Sequence, residues 1–327
     1  MKRELKLHLL LLVIIITATA LALAGCARKE PLLQPDEQTI DRLSRIPAAA
    51  IKITPETDAY PPVLDAEDWE NPVPLSDAIN TAGAEDSPFI TLDGDTLYFF
   101  FTPDPNIPAE KQLFDGVTGI WVSKKVNGSW EKAERVILQD KKKLALDGCA
   151  FVMGNVMWFC SAREGYTGVN LFTAEFKDGK WKDATYAGDI LKNLEVGEMH
   201  ILNGTMYFHS ARPGGKGGLD IWETHLLEGD YTDPVNIAAA NTADNEGWPF
   251  VSQDGNELWF LRTYKGTPGI FRSIKKDGEW QEPQLIISQF AGEPSLDNAG
   301  NIYFVHHYYK DGKMLEADIY VAMKKPK

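Results

Sequence analysis

The chain is poor in the residue types that build disulfide-stapled scaffolds and clustered metal sites: 327 residues hold only three cysteines and six histidines. No clustered Cys/His spacing, HExxH pair, Gly-rich phosphate loop or nucleophile elbow occurs, which removes zinc-ribbon, P-loop and α/β-hydrolase chemistry from consideration. No cofactor and no metal is expected. Basic charge is also scarce. The formal net charge is −14, and residues 1–25 carry Lys2, Arg3, Glu4 and Lys6, so the remainder stands near −16. Such a surface argues against nucleic acid or anionic lipid as the main ligand, and fits a neutral glycan, a peptide, a cation or another protein.

Long apolar runs are missing as well, except at the start. Lys2, Arg3 and Lys6 precede an apolar stretch from Leu9 to Ile16, and small residues lead to Leu23-Ala24-Gly25-Cys26. This order is that of an export signal. Its last four residues resemble the lipobox of bacterial lipoproteins, which implies cleavage before Cys26 and acylation of that cysteine. The expected organisation is a signal peptide over 1–25, a flexible tether over 26–58 with a short helix near Glu37–Arg45, and a folded body over 59–327. Membrane contact is expected through the lipid alone, in the cell envelope, and at the outer membrane if the host has one, since Ala27 replaces the Asp that favours inner-membrane retention in related lipoproteins.

What the chain has in abundance is repetition. Asn80-Thr81-Ala82-Gly83-Ala84-Glu85-Asp86-Ser87-Pro88-Phe89 recurs as Asn241-Thr242-Ala243-Asp244-Asn245-Glu246-Gly247-Trp248-Pro249-Phe250. An aromatic pair appears five times, as Tyr98-Phe99, Trp158-Phe159, Tyr207-Phe208, Trp259-Phe260 and Tyr303-Phe304. Short aromatic and β-branched strands separated by Gly, Asp and Asn turns read as antiparallel sheet. Units of about 50 residues with four strands each predict an all-β fold, a five-bladed β-propeller. The last unit stops after Asp318-Ile319-Tyr320, and Trp69-Glu70-Asn71-Pro72-Val73-Pro74-Leu75 copies the fourth-strand pattern of Trp280-Leu285. The N-terminal strand is therefore expected to close the last blade, which leaves few open edges.

The segment Phe208-His209-Ser210-Ala211-Arg212-Pro213-Gly214-Gly215-Lys216-Gly217-Gly218-Leu219-Asp220-Ile221-Trp222 resembles the WD40-like (PD40, or TolB-like) propeller repeat of bacterial envelope proteins. The resemblance covers residues 69–327. It implies fold more than function, because such propellers serve as binding platforms, substrate filters and occasionally enzymes. The residues after the last blade are not expected to form a peptidoglycan-binding OmpA-type domain.

Candidate site residues follow from blade geometry. An acid opens the inner strand of every unit: Glu85 with Asp86, Asp147, Glu198, Glu246 and Glu293. A ring of carboxylates at the channel mouth suits a cation, a sugar or an amine; alternatively each acid accepts bonds from its surroundings and only fastens the ring. Trp248 is placed to stack on a sugar. The preferred function is a protein-, peptide- or glycan-binding scaffold and not an enzyme. The alternative is a glycan-active hydrolase using Asp86, Asp147 and Glu198, which fall in the order of the acids of arabinanase-type propellers; its chemistry needs one carboxyl raised as acid and another ionised as base. Arg163, Arg212 and Arg262 pair with acids or face an anionic partner. His200, His306 and His307 read as partly exposed strand histidines, with 306 and 307 on opposite faces. Cys149 and Cys160 flank a hairpin at Gly154-Asn155, and counting outward sets them opposite each other, either as a cross-strand disulfide or as two buried thiols.

Overall fold

The computed structural model describes residues 40–139, 143–188, 198–228 and 230–326. The signal segment, the lipidation residue Cys26 and the first part of the tether lie outside them. Among the described residues no helix is long and apolar enough to cross a membrane.

The architecture is nearly all β and propeller-like. The described strands form four sheets, in which a run of three antiparallel strands recurs at Ala84–Ile90, Thr96–Thr102 and Gly119–Val126; Ala145–Met153, Val156–Arg163 and Val169–Lys177; Met199–Leu202, Thr205–Ser210 and Asp220–Leu227; Glu246–Val251, Glu257–Tyr264 and Thr267–Lys276; and Ala291–Leu296, Ile302–Lys310 and Lys313–Ala322. These runs are units one to five, with units five and one in a single sheet through a parallel contact of Ala317 with Ala84. A fourth strand completes units one to four at Glu134–Arg135, Lys180–Tyr186, Val235–Asn236 and Gln284–Ser288. The fourth strand of unit five comes from the other end of the chain: Val73 pairs with Val321 and Pro74 with Tyr320. Trp69 bridges to Lys324 beside it.

The aromatic pairs explain how the units pack. Adjacent strand residues point to opposite faces, so each pair feeds two cores. Phe99, Phe159, Phe208, Phe260 and Phe304 are all fully buried against the preceding unit. Tyr98, Tyr207, Trp259 and Tyr303 face the following one, and Tyr303 of unit five shares a cluster with Phe99 of unit one. The inner strands lie against one another in the order of the units, with Ala291–Leu296 touching Ala84–Ile90.

The repeated Asn-Thr segment fastens neighbours. Asn241 brackets the third strand of unit three, its Oδ1 accepting from Ile221 N–H at 2.7 Å and its Nδ2 donating to Ile221 O at 2.8 Å. Asn80 makes the same pair of bonds to Ile319 of unit five, both at 2.9 Å. Thr81 and Thr242 then donate both N–H and O–H to Glu85 and Glu246.

One expectation needs correction. Residues 40–58 are not a free tether. A short 3₁₀ turn, Arg42–Arg45, capped by Asp41, drives Arg42 into unit one, where it is 2% exposed. Lys52 bonds Glu316 and Asp318 of unit five, and Asp58 bonds His306. Val63–Leu64 then adds an edge strand to unit four through Ser288 and Ile287. The physical reason is charge: the body buries Glu85, Glu316, Asp318 and His306, and this segment carries their partners.

Two imidazoles latch unit three to unit four. His209 Nδ1 accepts from Trp248 N–H at 3.1 Å and His200 Nδ1 from Val251 N–H at 3.2 Å. Burial lowers His209 to about 4 and His200 to about 3, because the interior disfavours the charged ring. A depressed folded value means the contribution is whole above the unfolded value near 6.5 and is lost as pH falls toward 4. His209→Leu, which copies Leu261 of unit four, is expected to flatten this loss. The stability difference between parent and variant should shift by roughly 1.4 kcal/mol per pH unit between 6.5 and 4, measured by urea unfolding. A pH-independent difference would contradict the latch.

Candidate functional site

The inner strands carry a shared irregularity that sets the site. Register shifts separate Asp86 from Phe89, Gly148 from Phe151, Gly247 from Phe250 and Gly292 from Ser295. In each bulge a non-glycine residue has positive φ: Ser87 at 48°, Cys149 at 55°, Trp248 at 52° and Glu293 at 55°. Such a conformation costs about 1–2 kcal/mol per L-residue and is held by its surroundings. Glu198 stands at the matching place in unit three, two residues before His200, which pairs with Tyr207 as Phe250 pairs with Trp259.

The expected acid ring therefore separates into two sets. Glu85, Asp147 and Glu246 lie two residues before the bulge and are sealed, at 0%, 1% and 0% exposure. Asp147 Oδ1 accepts from Ser161 Oγ at 2.5 Å and from Arg163 Nη2 at 3.1 Å. Glu246 pairs with Arg262 Nε at 3.2 Å, and Glu85 with Arg42 Nη1 at 3.0 Å. Each guanidinium lies over the rings of its unit: Arg163 over Phe159 and Phe172, Arg262 over Phe260 and Phe271, Arg42 over Phe99, Phe101 and Trp121. Phe101 stands opposite Glu85 where Arg262 stands opposite Glu246, so Arg42 supplies from outside the unit the cation that unit one lacks. These three acids are fasteners. Arg212 lies over Trp222 in unit three.

Asp86, Glu198, Trp248 and Glu293 converge instead near the common centre, with Ser87, Cys149 and His307. His307 Nε2 is 3.5 Å from Asp86 Oδ2, and Ser87 Oγ donates to Glu293 Oε2 at 2.8 Å. Burial alone would raise Asp86, but the adjoining His307 and the Ser87 N–H outweigh it and hold the carboxyl below its usual value. Burial first, with the Asp86 charge adding to it, pushes Glu198 up to about 7. Burial, Asp86 and Glu198 together push Glu293 well above the carboxylate range. Trp248 tilts over His209 at 4.7 Å between centroids. The cavity enclosed by Cys149, Glu198, Trp248, Glu293 and their neighbours measures about 30 Å³. That is room for one or two waters or an ion, not for a sugar ring.

The hydrolase set is thus only partly assembled: Asp86 and Glu198 meet, and Asp147 is locked away in its ion pair. Two further expectations change, and of the two readings of the cysteine pair the unbridged one holds. Cys149 and Cys160 are not joined by a disulfide. The hairpin turns as expected, Met153 pairing with Val156, but the bulge shifts the register so that Gly148, not Cys149, stands opposite Cys160. His200, His306 and His307 are buried, not partly exposed. Residues 306 and 307 do serve different partners, Asp58 and Asp86. Finally, the expectation of no metal cluster has an exception, because ligand atoms of Asp86, Glu293 and His307 lie within 4.8 Å of one another.

A second, larger concavity lies among the turns that join inner and second strands. It measures about 520 Å³ and is lined by Leu92 of unit one, by Ser252, Gln253, Asp254 and Glu257 of unit four, and by Leu296 to Asn298 of unit five. Its aspartates are held by their own turns, Asp254 Oδ1 accepting from Ser252 Oγ and Asn256 N–H and Asp297 Oδ1 from Ala299 and Asn301 N–H, while Glu257 accepts from Trp259 Nε1 and pairs with Arg272. The polar lining is therefore rigid.

No protein-family model and no curated protein matches the chain. Among solved structures it is similar to a protein described as Bacteroides ovatus xyloglucan PUL GH43B, at 16% identity over 76% of this chain and 53% of that one, TM-score 0.46. It is also similar to TolB from Acinetobacter baumannii, at 11% identity over 76% and 56%, TM-score 0.39. A third is an endo-arabinase from Bacteroides thetaiotaomicron, at 16% identity over 74% and 94%, TM-score 0.48. The chain spans little more than half the length of the first two.

Proposed function

We propose that this protein is a lipid-anchored envelope protein, tethered through Cys26, whose five units close into a five-bladed β-propeller acting as a binding scaffold for a protein, peptide or glycan. Closure is supported by the shared Tyr303–Phe99 cluster, by Asn80 repeating at the junction of units five and one the bonds Asn241 makes between units three and four, and by the strand at Val73–Pro74. The observation that carries recognition over catalysis is the contrast of spaces: about 30 Å³ at the carboxylates against about 520 Å³ at the turns. The second volume is within the roughly 300–1,000 Å³ range of ligand pockets.

A glycan-active hydrolase is the second reading, and one observation favours it. Glu198, raised to about 7, stands by Asp86, whose carboxyl is held below its usual value, and two carboxyls with separated affinities are what acid/base cleavage uses. The full chain in detergent, presented to a glycan and peptide panel, distinguishes the readings. The scaffold reading expects a ligand whose affinity falls at least roughly tenfold when Gln253→Trp or Asn298→Trp fills the groove, as loss of a buried contact surface implies. Binding untouched by both folded variants would move recognition away from this groove.

A further inference from the structure

Among the described residues, most of the buried acids have a cationic partner. Glu85, Asp147 and Glu246 each have an arginine, Glu316 and Asp318 share Lys52, and Asp58 has His306. Asp86, Glu198 and Glu293 meet at the centre of the inner strands, and among the described residues no lysine or arginine is paired with any of them. Three carboxyls in a water-poor space are costly to ionise together unless something positive joins them.

We propose that Asp86, Glu293 and His307, with Glu198 beside them, form a binding site for one divalent transition-metal cation of the Mn²⁺ or Zn²⁺ type. His307 is 3% exposed, and its Nδ1 has no hydrogen-bond partner. Its Nε2 faces Asp86 Oδ2 at 3.5 Å, longer than the usual charge-assisted hydrogen bond. The cluster therefore holds a buried imidazole that faces Asp86 in a long ion pair through Nε2 and leaves its Nδ1 without a partner. Ligand atoms at roughly 2.0–2.2 Å from one ion lie about 3–4.4 Å apart, so the present spread, within 4.8 Å, needs only a small contraction. The donor set selects the ion class. One imidazole with two or three carboxylates suits Mn²⁺ or Zn²⁺, whereas Ca²⁺ takes six to eight oxygens. The adjoining cavity of about 30 Å³ has room for a water or two to complete the shell. The positive φ of Ser87 and Glu293 has a use here, since both place side chains on this cluster.

The site is separate from the groove assigned to recognition, so either proposal can fail alone. The test uses the untagged full chain in detergent, stripped with chelator and titrated with MnCl₂ while free Mn²⁺ is followed by electron paramagnetic resonance. One saturable equivalent is expected, displaced by Zn²⁺, with electron spin-echo modulation from a single imidazole nitrogen. Glu293→Gln and His307→Gln are each expected to weaken binding roughly tenfold or more, and His307→Gln to remove the nitrogen modulation. Absence of saturable binding, binding without nitrogen coupling in the parent chain, or unchanged affinity in both folded variants would overturn the site. If a variant does not fold, the stoichiometry and nitrogen coupling of the parent chain decide the matter.

Discussion

Replacing Arg42 by alanine is expected to destabilise the protein by about 3–5 kcal/mol at pH 8, the range for removing one partner of a buried ion pair. Arg42 lies in a segment that sequence reading assigns to a tether, yet it is sealed in unit one. Its Nη1 donates to Glu85 Oε1 at 3.0 Å and its Nη2 to Ile79 O at 2.6 Å, while the guanidinium rests 5.1 Å from the Phe101 ring centre. Without it, Glu85 keeps only the two bonds from Thr81. Burial already pushes Glu85 up to about 7, against the pull of Arg42. A raised folded value means stability is lost as pH rises through it. In the variant the value climbs further, so the loss should be smaller at pH 5, where the folded acid is protonated and no charge is stranded. Urea unfolding at both pH values measures this. Arg42→Leu with Glu85→Gln is expected to recover most of the loss, because an apolar group beside a neutral amide buries no charge. A loss below about 1 kcal/mol at pH 8, the size of a surface ion pair, would mean the segment is not part of the fold.

Trp69→Ala is expected to cost a further separate 3–5 kcal/mol or so, as for large buried aromatics elsewhere. Trp69 sits where the two chain ends meet. It is 2% exposed, packs edge-on against Trp259 of unit four at 5.5 Å and donates from Nε1 to Gly300 O of unit five at 2.9 Å. The Arg272 guanidinium and the Lys324 ammonium lie over its ring. Alanine would leave a cavity and an unpaired carbonyl at once. The strand Val73–Pro74 follows four residues later, so its pairing with Tyr320–Val321 should loosen too. Hydrogen exchange is expected to rise first over 313–322. Loss of stability without faster exchange there would show that Trp69 packs the body but does not hold the seam.

Much of the fold is written in the sequence because its signals are local and repeated. The aromatic pairs, their spacing and the displaced fourth-strand copy at 69–75 each follow from strand periodicity. The site was less legible for two physical reasons. Taking the acid that opens each inner strand as equivalent from unit to unit assumes a common register, and the bulges separate neighbouring positions. That assumption merged the fastening set, Glu85, Asp147 and Glu246, with the central set, Asp86, Glu198 and Glu293. A signal was available: Pro88, Pro249 and Pro294 each interrupt an inner strand, which proline does at bulges, and each follows a central residue, Ser87, Trp248 or Glu293. The second reason is distance in sequence. Arg42 and Asp58 complete units one and five from a stretch with no strand pattern, and only the vacancy of Phe101 opposite Glu85 hinted that an arginine must come from elsewhere. His307 was legible as a strand residue, and its approach to Asp86 needed the packing of unit five on unit one.

The most direct test of the account is turnover by the full chain on a broad panel of glycans, run beside a folded Asp86→Asn, Glu198→Gln variant. A scaffold with Asp147 sealed and only about 30 Å³ at its carboxylates should bind without cleaving, and the variant should leave groove binding unchanged. Cleavage by the parent chain that disappears in the variant would contradict this and establish the hydrolase.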